Sequence, residues 1–124
     1  DWLKKKLSNE HCIFFIIADA NTNALVGYLQ LTNIDFISQT GELGICIDKK
    51  YHGKSYGKDA LLLLESYVKN LFNLRKIFLK VLVNNYRAIR FYEKMNYTNV
   101  GILEEHFYFN NVYHNVQLME KKLI

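Results

Sequence analysis

The sequence predicts an α/β fold of the α+β kind: a mixed sheet with helices packed on it. Three observations predict it. Runs rich in β-branched and aromatic residues fall in hairpin-like pairs at both ends of the chain. Two segments with a helical apolar period, residues 56–72 and 86–95, flank a further apolar run. A polar, glycine-bearing stretch separates the first half from the first of these helices, which makes strand, loop, helix, strand a right-handed crossover.

Taken in order, Trp2, Leu3 and Leu7 suggest the end of a short helix. Residues 13–18 read as a buried strand, and Asn21-Thr22-Asn23 as a turn. Residues 25–31 form a second strand, joined to the first as a hairpin. Gln39-Thr40-Gly41 is a turn before a third strand, 42–47. In the helix over 56–72, Leu61, Leu64, Val68 and Leu71 are spaced for one buried face. Residues 77–83 are apolar on both faces apart from Lys80, so this strand is expected at the sheet centre. The helix over 86–95 is expected to bury Ala88, Ile89, Tyr92 and Met95, and Asn96 ends it by adopting the left-handed conformation. Strands at 100–109 and 112–118 turn through Asn110-Asn111 as a final hairpin.

A length of 124 residues fits one domain, expected over 1–124, and can bury a core without staples. No apolar run reaches the roughly 18 residues that a membrane span needs, and no signal-peptide pattern opens the chain. Cys12 and Cys46 lie far apart and outside any Cys/His cluster, so neither a disulfide framework nor a metal site is expected, and a cytoplasmic protein is. The net charge of +4 favours an anionic ligand but is too small to argue for nucleic acid. Lys4, Lys5 and Lys6 read as a solvated helix face.

The chemistry concentrates after the third strand. A glycine-bearing loop between a strand and a helix brings free backbone N–H groups and the positive end of the helix dipole to one place, which suits a phosphate. Here the loop reads Lys50-Tyr51-His52-Gly53-Lys54-Ser55-Tyr56-Gly57-Lys58. It fits neither the P-loop nor the dinucleotide glycine pattern. Lys50, Lys54 and Lys58 place positive charge around it.

Here the chain resembles the GNAT superfamily of N-acetyltransferases, in its ribosomal-protein, polyamine and amino-sugar branch. The positions that correspond to that superfamily's Arg/Gln-x-x-Gly-x-Gly/Ala signature read His52, Ser55 and Gly57 here, within YHGKSYGKDAL, which looks like the family's YRGKGYGxEAL. A second motif, Asn85, Ala88, Ile89, Tyr92, Glu93, Lys94 and Asn96-Tyr97, looks like the family's NxxAIxxYEKxGF. His52, Ser55 and Asn96 depart from the pattern. Ser55 is expected to serve as a helix N-cap, and His52 keeps a donor without a permanent charge.

The resemblance implies a mostly antiparallel central sheet flanked by helices, lacking the family's first strand and helix and so truncated at its N-terminus. It implies acetyl-CoA as cosubstrate, no metal, and direct acetyl transfer to a primary amine. A small-molecule acceptor, either an amino-sugar nucleotide or a polyamine, ranks ahead of a protein N-terminus. A homodimer is in keeping with the family; nucleic acid and membrane partners are not expected. By the same resemblance Tyr92 is the general acid for the leaving thiolate and Glu42 the base for the amine. Ile45, Cys46 and Ile47 hold the pantetheine through their backbone, His52, Gly53, Lys54, Ser55, Tyr56, Gly57 and Lys58 hold the pyrophosphate, and Asn85 and Ala88 position coenzyme A. Cys46 reads otherwise as a buried, inert strand cysteine. Glu104, Glu105, His106 and His114 near the last hairpin are candidate acceptor contacts. The competing reading is a non-catalytic acyl-CoA-binding module, motivated by the imperfect loop.

Overall fold

Among the described residues the strands pair into one six-stranded sheet in the order β1-β2-β3-β4-β6-β5. The fold comes from a computed structural model that describes residues 11–124; the expected helix around Trp2, Leu3 and Leu7 lies outside them. The strands are β1 (Ile13–Ala18), β2 (Leu25–Asp35), β3 (Thr40–Ile47), β4 (Lys76–Leu82), β5 (Thr98–Phe109) and β6 (Val112–Lys122). The helices are α1 (Tyr56–Phe72) and α2 (Tyr86–Lys94), with a short 3-10 turn at Lys49–Tyr51. Every strand pair is antiparallel except β3 with β4, which the α1 crossover joins in parallel. The mixed, mostly antiparallel sheet is therefore as expected, and β4 lies inside it.

Alternation along the strands sorts the two faces. Ile17, Leu29, Leu31, Leu43, Ile77 and Leu79 pack with Leu61, Leu64 and Val68 of α1 and Tyr92 and Met95 around α2 into one core. Residues between them, such as Tyr28, Glu42, Cys46, Phe78 and Lys80, point to the opposite face. α1 carries one charge into the core side. Glu65 is 7% exposed, accepting from Tyr97 Oη at 2.8 Å and pairing with Lys121 Nζ at 2.8 Å. That trio ties α1, the end of α2 and β6 together. Burial and the adjacent carboxylate push the Tyr97 hydroxyl far above its ordinary pKa.

Several expectations need correction. β1 is an edge strand, not a buried one: Ile16 is 59% exposed. β2 runs four residues further than its alternation indicates, because Asn33, at φ 51°, breaks the period at a register shift and still delivers Ile34 to the core. The β2–β3 turn consequently falls earlier, where the Asp35 carboxylate accepts from the N–H groups of Ile37 and Ser38 at 2.9 Å each. Leu71 is 63% exposed. It projects from the edge of the apolar arc, and in the last turn Phe72 takes the inward place against Tyr67 and Phe36. α2 closes as its sequence indicates. Asn96 sits at φ 71°, its N–H donates to Glu93 O, and the Tyr97 N–H reaches back to Tyr92 O, the double closure of a Schellman motif. Asn110 and Asn111 both take positive φ, as a two-residue hairpin turn of the primed kind requires.

Candidate active site

β3 and β4 pair over only three residues, Thr40–Lys76, Gly41–Ile77 and Glu42–Phe78. Beyond Glu42 the two parallel strands diverge, leaving the β4-facing N–H and C=O groups of residues 43–47 without a ladder partner. A cavity of about 750 Å³ opens where they part, floored by Ile45, Cys46 and Ile47 and walled by the loop before α1 and by α2.

The loop is shaped by its backbone. The Asp48 carboxylate accepts from the Lys50 N–H at 3.2 Å and starts the 3-10 turn. Gly53 is at φ +77° in open space, a conformation that costs glycine nothing. Ser55 is also left-handed, at φ 68°, and makes no side-chain cap. Ser55 stands at the N-cap as expected, but the cap bond expected of its side chain is absent: a cap residue is normally extended, and this backbone is left-handed. The first intrahelical bond is Asp59 N–H to Ser55 O at 3.0 Å. The N–H groups of the first turn are left for a ligand. Gly57 faces α2: a Cβ there would stand 3.4 Å from Phe91 Cζ, an ordinary van der Waals contact.

His52 lines the cavity, yet its ring is engaged. Nε2 donates to Ile47 O at 2.8 Å, which fixes that nitrogen as the protonated one in the neutral ring, while Nδ1 is buried without a partner. Tyr56 donates its hydroxyl to Asp19 of the β1–β2 turn. That bond, with the N–H groups of Thr22 and Asn21, holds the Asp19 carboxyl down at about 2, and the same carboxylate pushes the Tyr56 phenol up. Asn85 caps α2 by accepting from the Ala88 N–H at 3.3 Å. Tyr92 is 7% exposed, its ring edge-on to Phe91 and Tyr97. Burial pushes its phenol up to about 12.

Of the sequence-derived cofactor residues, Ile45, Cys46, Ile47, His52, Gly53, Ser55, Tyr56, Gly57, Lys58, Asn85 and Ala88 all line this one cavity, and so does Tyr92. Lys54 is exposed and outside its lining, and Lys50 lies over the Tyr51 ring, 5.1 Å from its centroid. Cys46 is exposed and not packed inside, because an even-numbered residue of β3 faces away from the core. Glu42 stands on that outer face too, at the point where the strands part, with Asn33 Nδ2 donating to Oε1 at 3.0 Å. Glu104, Glu105 and His106 are exposed on the last hairpin, and none of them nor His114 lines the cavity. Tyr51, Arg87, Arg90, Phe91 and Lys94 also line the cavity: Tyr51 and Lys94 lie within the loop and the second motif without an assigned role there, and Arg87, Arg90 and Phe91 are not among the sequence-derived site residues. The spacing of Arg87, Arg90 and Lys94 was a readable signal, since it places three cations along one side of α2. Among the described residues no cluster of three or more His, Cys, Asp or Glu side chains is placed to hold a metal, and no helix is long and apolar enough to cross a membrane.

Comparison with known proteins agrees with this geometry. The family model described as the acetyltransferase (GNAT) family matches residues 1–97. A spermidine N(1)-acetyltransferase of Vibrio cholerae is 32% identical over 105 residues, which is 85% of this chain and 60% of that protein. The match thus spans less than two thirds of that relative's length. An N-alpha-acetyltransferase of Saccharolobus solfataricus is 28% identical over 79% of this chain and 64% of its own. Among solved structures, a Vibrio cholerae spermidine N-acetyltransferase in complex with CoA and spermine superposes with a TM-score of 0.90 at 28% identity, covering 98% of this chain and 72% of that one.

Proposed function

This chain belongs to the acetyltransferase (GNAT) family, and from that premise we propose that it transfers an acetyl group from acetyl-CoA directly to a primary amine of a small polyamine. The observation that carries the reading is the cavity where β3 and β4 part, lined at once by the loop of the first motif and by Asn85, Ala88 and Tyr92 of the second. The likeness to proteins named for spermidine acetylation supports a polyamine over an amino-sugar nucleotide.

Each part of the cavity has a role in this reading. The first-turn N–H groups of α1 and the loop backbone receive the pyrophosphate, with Lys58, Arg87, Arg90 and Lys94 supplying charge. The unladdered edge of β3 at Ile45, Cys46 and Ile47 takes the pantetheine as an added strand would be taken, and its N–H groups polarise the thioester carbonyl. Asn85 acts by holding the start of α2. His52 braces the loop against the end of β3.

An alkylammonium with a pKa of about 10.4 must lose its proton before it attacks, at a cost of about 4 kcal/mol near pH 7.4. Glu42 receives that proton, directly or through water. The amine nitrogen then bonds to the acetyl carbon, the tetrahedral intermediate collapses, and the C–S bond breaks. The thiolate takes a proton from Tyr92, and the tyrosinate regains one, directly or through water, from the nitrogen of the intermediate as the amide forms. A phenol at about 12 stays loaded at any physiological pH.

The test is calorimetric titration with acetyl-CoA at two salt concentrations, followed by thiol release with spermidine. Micromolar binding modestly weakened by salt, with spermidine-dependent thiol release, is expected. Binding without release from any amine would leave an acyl-CoA-binding module instead. Release with peptides alone would favour acetylation of a protein N-terminus, a second reading supported by the Saccharolobus relative.

A further inference from the structure

The outer face of the sheet carries a charge pair that this chemistry uses only in part. Lys80 Nζ stands 3.9 Å from Glu42 Oε2, the carboxylate oxygen that Asn33 leaves open. Lys80 lies two residues beyond Phe78, the last β4 residue paired with β3. It therefore overhangs the gap between the diverging strands, on the same face as Glu42. The contact is loose: the Lys80 side chain is 44% exposed and the Glu42 side chain 19%. Lys76, on the same face, differs by bonding Glu120 at 3.0 Å with both partners about a quarter exposed. Lys76 has a close partner at the start of β4, whereas Lys80, among apolar residues further along it, has only this loose one, and stabilisation is a poor reason for it, because exposed ion pairs of this geometry contribute little.

We propose that Lys80 is a built-in stand-in for the acceptor's ammonium, covering Glu42 when no acceptor is present and competing with the incoming cation for it. Lys80 is then a specificity determinant that sets the KM for cationic acceptors. The inference rests on the reading of Glu42 as the acceptor-side carboxylate. An acceptor amine approaching Glu42 meets a like charge a few ångströms away and must displace it. The same displacement frees Glu42 to accept the proton only when an amine is there to give it.

A charge ladder at this position tests the idea. Lys80→Arg, Lys80→Met and Lys80→Glu are compared with the unmodified chain for KM and kcat with spermidine, for KM with acetyl-CoA, and for spermidine binding by calorimetry. The arginine variant should stay within about twofold of the original. The methionine variant should lower the spermidine KM about three- to tenfold, and the glutamate variant further, with the acetyl-CoA KM unmoved. The differences should shrink between about 50 mM and about 500 mM salt as screening sets in. In a Glu42→Gln background the ladder should flatten, since the two residues then share no charge interaction. Turnover of spermidine with a flat ladder, or a KM that rises in Lys80→Met, overturns the proposal and leaves the polyamine reading standing. Acetyl-CoA binding with no spermidine binding in any variant overturns both.

Discussion

Two polar regions grip the same helix and have opposite fates. In the middle of α1, Glu65 is sealed between Tyr97 and Lys121, each 2.8 Å away, so both carboxylate oxygens are matched inside the protein. At the start of α1, Ser55 supplies no cap, His52 Nδ1 has no partner, and the first-turn N–H groups face a cavity. A polar group satisfied internally contributes to structure. One left open at a concave surface is available for a ligand. The difference lies in closure, not in residue type, because both regions contain a lysine, a tyrosine and a carboxylate partner within reach.

Substitutions can break the first region and sharpen the second. Lys121→Met should have the largest effect on the fold. It strands a buried carboxylate and should cost about 3 kcal/mol, read as a lower denaturant midpoint with the slope unchanged. Tyr92→Phe should leave stability nearly intact and lower kcat by about one to three decades, with acetyl-CoA affinity nearly unchanged; unaltered turnover would remove Tyr92 from the mechanism. Ser55→Gly should relieve the left-handed strain by about 1 kcal/mol and keep or tighten acetyl-CoA binding, as calorimetry would register. Marked weakening would mean that the serine hydroxyl itself meets phosphate.

Smaller effects follow from the Tyr56–Asp19 bond at the rim. With its carboxyl at about 2 against an ordinary 3.8, Asp19 contributes stability that is full above about pH 4 and lost as the pH falls toward 2. Tyr56→Phe removes the largest cause of that depression. Its stability deficit should therefore be visible near neutral pH and vanish near pH 2, a comparison of thermal midpoints. Leu71→Lys should move the midpoint least, by under about 0.5 kcal/mol, since the side chain is already 63% exposed.

Much of this was legible in the chain. The helix over Tyr56–Phe72 and the strand Ile13–Ala18 were bounded by breakers and needed no partner to be read. Asn96 and Asn110-Asn111 marked their turns because asparagine tolerates positive φ better than other non-glycine residues. The two motifs pointed to the residues that line the cavity. Less legible were features that depend on distant partners. The extension of β2 through Asn33 depends on a shifted pairing with β3, and Ser55 has the composition of a cap but the backbone of the glycine that its motif position usually holds. Arg87, Arg90 and Lys94 were readable by spacing, but only the packing of α2 beside the loop brings them into one cavity with Gly57.

The sequence by itself determined the order of the described elements, the strand–loop–helix segment before Tyr56 and the place of Tyr92 on α2, because periodicity and turn chemistry are local. Tertiary structure alone decided that β3 and β4 part after Glu42, that Cys46 and Glu42 face away from the core, and that Lys80 stands over Glu42. Those are properties of register between separate strands, β2 with β3 and β3 with β4, where a shift of one residue would turn every side chain to the other face.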